Sequence, residues 1–144
     1  MIQTVKVQRH MRSSIDPLTV YRCGKPGAGG QGNHYLVLKA AHVVEFEREL
    51  DKARTSDEAA ALTPIANLCS IHFQNGTIPE VGVNGVTIET LLAICEDRLA
   101  GFQAGPYPCR ENALALTAIQ EAINWLWRRT LDREKAGTEG RQIA

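Results

Sequence analysis

The side chains best suited to chemistry in this chain are arginines and aromatics. Arg98, Arg110, Arg128, Arg129 and Arg133 fall in the last third, while Phe73, Tyr107 and Trp125 offer ring faces. A planar guanidinium bonds two phosphate oxygens at once, and an aromatic face stacks on a purine. Together they describe binding of a phosphorylated ligand that carries a base. Any one of them reads more plainly as a solvated arginine or a core ring. The grouping, in a chain without net positive charge, is what points to a pocket. Arg129 and Arg133, four apart on a helix, share a face, and Arg128 is expected to point elsewhere.

Catalysis has less to stand on. There is no GxSxG, no HExxH and no paired carboxylate with an evident site, so no catalytic residue is assigned. His10, His34, His42 and His72 are scattered. His72 lies between Ile71 and Phe73 and faces the other side of its strand, as a surface histidine or as a ligand contact. Glu96 and Asp97 read as solvated. Gly24–Gly32 holds five glycines in nine residues, a composition whose backbone N–H groups can cradle a phosphate. It lacks GxxxxGK[ST] and no helix opens after it, which excludes a nucleoside-triphosphate loop. The alternatives are a phosphate cradle or a flexible hairpin tip. Asn33 and His34 sit where this loop meets a strand and could face a ligand.

Sixteen basic and sixteen acidic residues cancel in 144, which argues against a DNA or RNA coat, since such binding rests on excess Lys and Arg. With 44% hydrophobic and 22% charged residues the chain suits one soluble domain. Cys23, Cys69, Cys95 and Cys109 form no CxxC, and no Cys/His cluster has metal spacing, so no metal and no cofactor is expected. Met1–Arg12 carries charge where a signal peptide needs an apolar run, and nothing approaches the ~20 apolar residues of a membrane span. The expectation is reduced thiols in a cytoplasm.

These residues must be positioned by the following elements. Met1–Ser14 is an edge strand or a loose arm. Leu18–Cys23 and His34–Lys39 alternate apolar and polar residues and read as a β-hairpin around the glycine-rich loop. Ala41–Arg54 reads as a helix, with Val43–Phe46 as strand the alternative, and Thr55–Leu62 as a second short helix up to Pro64. Cys69–Gln74 reads as a strand, Asn75-Gly76 as a hairpin turn, and Thr77–Val81 as the returning strand, an edge or bulged one because of Pro79. Two long amphipathic helices follow. The first, Thr87–Gln103, is capped by Thr87 or Asn84 and stripes Ile88, Leu91, Leu92, Cys95, Leu99 and Phe102 on one face, with Cys95 as a small core hydrophobe. Ala104-Gly105-Pro106-Tyr107-Pro108 turns the chain. The second, Cys109–Lys135, would run about 40 Å at ~1.5 Å per residue, with Ala115, Ile119, Ala122, Leu126 and Thr130 as its stripe, flanked by Leu116, Ile123 and Trp127. Two such helices cannot hide both apolar faces by pairing only with each other, so a sheet or a second subunit is expected as cover. Ala136–Ala144 reads as a tail that is mobile or ordered only against a partner. The whole is one domain: 1–86 a β-rich half, 87–135 a helical hairpin, 136–144 a tail.

The run from Ile71 to Gly140 resembles a known phage family. Its pattern FQNG…GVNGVT…LL.I..DRL..FQ.GP..CREN.LALT.I.EA..WL..RT..R is similar to the helical-hairpin domain shared by the small-molecule sponges that block Thoeris and CBASS immunity. Gly29–Tyr35 resembles the N-terminal half of the Thoeris-blocking branch. The resemblance implies an α+β fold, an N-terminal antiparallel β-sheet packed on a C-terminal two-helix antiparallel hairpin. It implies a homo-oligomer, dimer or hexamer, in the host bacterial cytoplasm. It also implies binding of nucleotide signals (glycocyclic ADP-ribose isomers, cyclic di- or trinucleotides) without cleavage. Carried onto matching positions, Phe73 and Asn84 are candidates for base and ribose contact and Arg110 for stacking or phosphate contact. Gly85, His34, Asn33, Arg128 and Arg129 are further candidates. The competing readings are a phage structural or regulatory protein that binds another protein through its hairpin, and a cyclic-nucleotide hydrolase.

Overall fold

Alternation of apolar and polar residues builds the sheet. Leu18–Cys23 (β2) and His34–Lys39 (β3) pair antiparallel, with Tyr21 opposite Leu36 and Cys23 opposite His34. Val5–Lys6 (β1) adds to β2 and Asn67–His72 (β4) to β3, giving the order β1-β2-β3-β4. The computed structural model describes residues 4–8, 10, 15, 17–55, 57, 58, 62 and 67–137. Of the two readings of the N-terminal segment, the edge strand is the one that forms.

Side chains two apart on β2 and β3 share one face. Tyr21, Cys23, Leu36 and Leu38 are buried there with Phe46 of the helix Ala40–Lys52 (α1). Phe46 meets the Tyr21 ring edge-on at 4.9 Å, and burial of such a side chain contributes about 1.5–3 kcal/mol. The Tyr21 hydroxyl donates to Glu47 Oε1. Val43–Phe46 is therefore helix, not strand. After α1, Thr55 Oγ1 accepts from Glu58 N–H at 3.1 Å while Glu58 Oε2 accepts from Thr55 N–H at 3.2 Å. This reciprocal cap marks the start expected for a second short helix, whose continuation at 59–61 lies outside the described residues.

The segment after β4 departs from the hairpin expectation. β4 ends at His72, two residues before the expected Gln74, and Phe73 N–H still donates to Asn33 O at 2.7 Å. Thr77–Val81 is not a returning strand: Ile78–Val81 forms a single helical turn (α2) with Pro79 in its first positions. Proline is tolerated there because those N–H groups have no intrahelical partner. The backbone groups that a returning strand would have paired are taken by a side chain. Asn84 Oδ1 accepts from Asn75 N–H at 2.8 Å and Asn84 Nδ2 donates to Asn75 O at 2.7 Å.

Ile88–Ala104 (α3) and Arg110–Lys135 (α4) form the expected hairpin. Thr87 Oγ1 caps α3 through Thr90 N–H, and Cys109 Sγ accepts from Asn112 N–H to cap α4. Three side-chain bonds record the antiparallel register. Cys109 N–H donates to Gln103, Gln120 to Glu96 and Arg129 to Glu89. The acceptors are two helical turns apart along α3, so they lie on one stripe. Leu91, Leu92 and Leu99 are half-buried on α3, and Leu116, Ile119, Ile123, Leu126 and Thr130 on α4. The stripe is narrower than expected: Ile88, Cys95 and Phe102, and on α4 Ala115 and Trp127, are exposed. A helix covers only one arc of its neighbour, and no described residue of α3 or α4 is fully buried.

The contacts divide the chain into two compact units, Met1–Gly76 with Val83–Gly85, and Thr77–Gly82 with Val86–Ala144. The architecture is α+β, an antiparallel sheet in the first unit and helices in the second. The expected tail lies outside the described residues from 138 onward. Among the described residues no helix is long and apolar enough to cross a membrane.

Candidate functional site

In the first unit the end of the β3–β4 ladder gathers several of the expected residues. Asn33 holds Phe73 through the backbone bond described above, and the Tyr35 and Phe73 rings meet edge to face at 5.7 Å. Gly85 lies against the same strand end, where an added Cβ would come within 2.6 Å of the Phe73 carbonyl oxygen. Only glycine permits that approach. Asn84 is anchored by its two bonds to Asn75, and its own N–H donates to Gln74 Oε1 at 2.9 Å. Its amide keeps one further N–H and one further lone pair. Asn33 Oδ1 is buried and, among the described residues, has no hydrogen-bond partner. Such an atom is costly unless something donates to it.

His34 and His72 are register partners and stack, with ring centroids 4.0 Å apart and planes within 12°. Ser70 Oγ lies 3.1 Å from His34 Nε2 and 3.4 Å from His72 Nε2. Burial pushes the His34 pKa below the ordinary imidazole value, and the neighbouring His72 charge pushes it further the same way. Burial also raises the Cys23 thiol to about 11, against an opposing hydrogen bond with Thr4, so Cys23 is neutral at physiological pH.

In the second unit, Trp125, Arg128, Arg129, Asp132, Arg133 and Ala136 line a groove of about 710 Å³ on α4. Trp125 is 73% exposed. Arg128 lies on this groove with Arg129 and Arg133 instead of pointing elsewhere, because a wide groove collects residues across more than one turn. Arg128 Nε is 3.9 Å from Asp132 and Arg129 Nη2 is 3.3 Å from Glu89. Exposed pairs of this kind hold weakly, leaving the guanidinium forks open to a phosphate. Arg110 opens α4 and is exposed, away from this groove's lining. A smaller cleft at the helical turn is lined by Arg98, Phe102 and Tyr107, with the Arg98 guanidinium 5.4 Å from the Phe102 ring centroid.

Ser70 and the pairing of His72 with His34 escaped the sequence reading. Strand alternation put both histidines on strands, but only the register shows that they face each other. Among the described residues no group of three or more His, Cys, Asp or Glu side chains is arranged to hold a metal.

The family model for the Acb2/Tad1 hairpin domain matches residues 67–131, from β4 to the C-terminal part of α4. The chain is also 36% identical over 109 residues to Thoeris anti-defense 1 of Bacillus phage SBSphiJ7, covering 75% of this chain and 77% of the relative. The matched region contains Phe73, Asn84, Gly85, Arg110, Arg128 and Arg129, and on this footing the chain belongs to the phage Thoeris anti-defense 1 family, which shares the Acb2/Tad1 hairpin domain.

Proposed function

We propose that this protein counters Thoeris defence by sequestering a nucleotide-type immune signal, glycocyclic ADP-ribose or a cyclic oligonucleotide, without cleaving it. The observation that carries the reading is the 36% identity to a Thoeris anti-defense protein across three quarters of both chains. The chemistry of the residues supports it. Phe73 supplies a ring for a base, Asn84 accepts a ribose hydroxyl, Asn33 lies at the same strand end, and Gly85 lets backbone approach closely. Arg110, Arg128 and Arg129 supply guanidinium for phosphate. A sponge needs affinity and no turnover, so acid–base machinery has no part in this reading. A Kd near 1 nM corresponds to about −12 kcal/mol, which for a small dianion requires a pocket closed on several sides. The exposed Ile88, Ile94, Trp125 and Trp127 favour a homo-oligomer, dimer or hexamer, that completes such pockets. In this reading the protein acts in the host cytoplasm.

The test is thermal unfolding with a panel of glycocyclic ADP-ribose and cyclic di- and trinucleotides, then heat release and chromatography of the ligand. Ligand at 100 times Kd stabilises the fold by about 2.7 kcal/mol. A raised melting temperature with intact ligand recovered is the expected result. Altered ligand would make the protein an enzyme, and no shift with any nucleotide would favour a protein partner.

A further inference from the structure

We propose that the stacked imidazoles of His34 and His72 form a proton-coupled anion receptor, neutral when empty and protonated when a phosphate docks on their Nε2 edge. The phosphate is taken to belong to the nucleotide ligand proposed above, and to that extent the inference rests on that reading.

The geometry couples the two rings through one hydroxyl. Both Nε2 atoms reach the same Ser70 hydroxyl, which has one proton to give. Two neutral rings satisfy it, one accepting from Ser70 and the other donating to it. Two imidazolium ions stacked 4.0 Å apart repel, so burial and a charged His72 both hold His34 towards its neutral form. An anion that takes the place of the Ser70 hydroxyl on the Nε2 edge reverses that preference by giving both N–H groups a charged acceptor.

The strands that carry the pair hold no acid. From Pro17 to Lys39 and from Asn67 to Pro79 the sequence has no Asp or Glu, but it does carry Arg22, Lys25 and Lys39. Facing the pair from β2 is Cys23, opposite His34. From β4 comes Ser70, and from the abutting segment Val83–Gly85 no titratable group. On α1, Glu47 is engaged by the Tyr21 hydroxyl and Glu49 by Lys52, and Glu45 and Asp51 complete its acids. No carboxylate among the described residues is paired with either imidazole.

The experiment follows the imidazole Hε1 resonances of all four histidines by NMR from pH 5 to 8, with His10 and His42 as internal references. The probes are inorganic pyrophosphate and glycocyclic ADP-ribose. Saturation with pyrophosphate is expected to raise the titration midpoints of His34 and His72 and leave the references still. Glycocyclic ADP-ribose is expected to bind about fivefold tighter at pH 6 than at pH 7.5, within the tenfold per pH unit that one coupled proton allows. In His72→Gln that pH dependence falls while circular dichroism shows the sheet retained. Should neither probe move either midpoint, the inference is overturned. Bound glycocyclic ADP-ribose with both imidazoles unmoved would sink the inference and spare the sequestration reading. Pyrophosphate moving both imidazoles while no nucleotide binds would do the reverse.

Discussion

The Asn84 side chain grips the Asn75 peptide on both polar groups, accepting from its N–H at 2.8 Å and donating to its carbonyl at 2.7 Å. One amide thus does the work of a paired strand and closes a loop of ten residues. Asn84→Ala removes both bonds, and a typical net loss of about 1 kcal/mol per hydrogen bond predicts about 1–2 kcal/mol in urea unfolding. Asn84→Asp keeps the acceptor, loses the donor and sets a carboxylate against the Asn75 carbonyl, so it should be no more stable than Asn84→Ala. If both variants unfold like the parent, the grip contributes nothing to stability.

Glycines provide a matched pair of tests. Gly85→Ala would drive a Cβ into the backbone carbonyls of His72 and Phe73, within 2.6 Å of the latter oxygen. Backbone cannot step aside as a flexible side chain can, and overpacking of this kind costs about 1–3 kcal/mol. Gly101 lies within α3, and a methyl added there would meet nothing within 4 Å. At that position Ala should stabilise the helix by about 0.5–1 kcal/mol. Melting temperatures moving in opposite directions is the expected result. A neutral Gly85→Ala would mean that Val83–Gly85 lifts away from the strand at little cost.

On α1, two residues within one turn lie on opposite faces, one in the core and one at the surface. Phe46 is 3% exposed and Val44 67%. Phe46→Ala should cost about 3–5 kcal/mol and Val44→Ala stay within about 0.5 kcal/mol, both by urea denaturation. Equal effects would mean that the sheet and α1 do not form one cooperative core.

Where a residue's fate was set by its immediate neighbours, the sequence told it. Leu18–Cys23 and His34–Lys39 were legible to the residue because period-2 alternation between turn residues leaves one register of faces. α3 and α4 were legible because Thr87 and Cys109 precede long apolar periodicities and Gly105-Pro106 interrupts them. Asn75-Gly76 misled because its turn signal is local, while the partner that decides the loop, Asn84, stands nine positions away. Cys95, Ile88 and Phe102 were placed in the core because they lie within the apolar arc of α3, yet one partner helix covers only part of that arc. Of the candidate site, Phe73 was named for its ring face and Asn33 for its place at the end of the glycine-rich loop, while Asn84 and Gly85 came from the family pattern. That they meet at one strand end follows from the Asn33–Phe73 backbone bond, the Asn84 grip on Asn75 and the close approach of Gly85, none of which the sequence carries. The β3–β4 register made the His34–His72 pair visible.

That pair also sets a pH dependence of stability. His34 has its pKa lowered in the fold, first by burial and then by the His72 charge. As pH falls through the ordinary imidazole value near 6.5, the unfolded chain takes up a proton that the folded chain refuses. Linkage then favours unfolding. The contribution is fully present above the unfolded pKa and is lost as pH falls from there through the lower folded value. Melting temperature should therefore drop between pH 7.5 and 5.5. His34→Gln, which has no imidazole to titrate at that position, should flatten the drop, and His72→Gln should reduce it by removing the charge but not the burial. An unchanged profile in His34→Gln would show that other groups govern the acid limb.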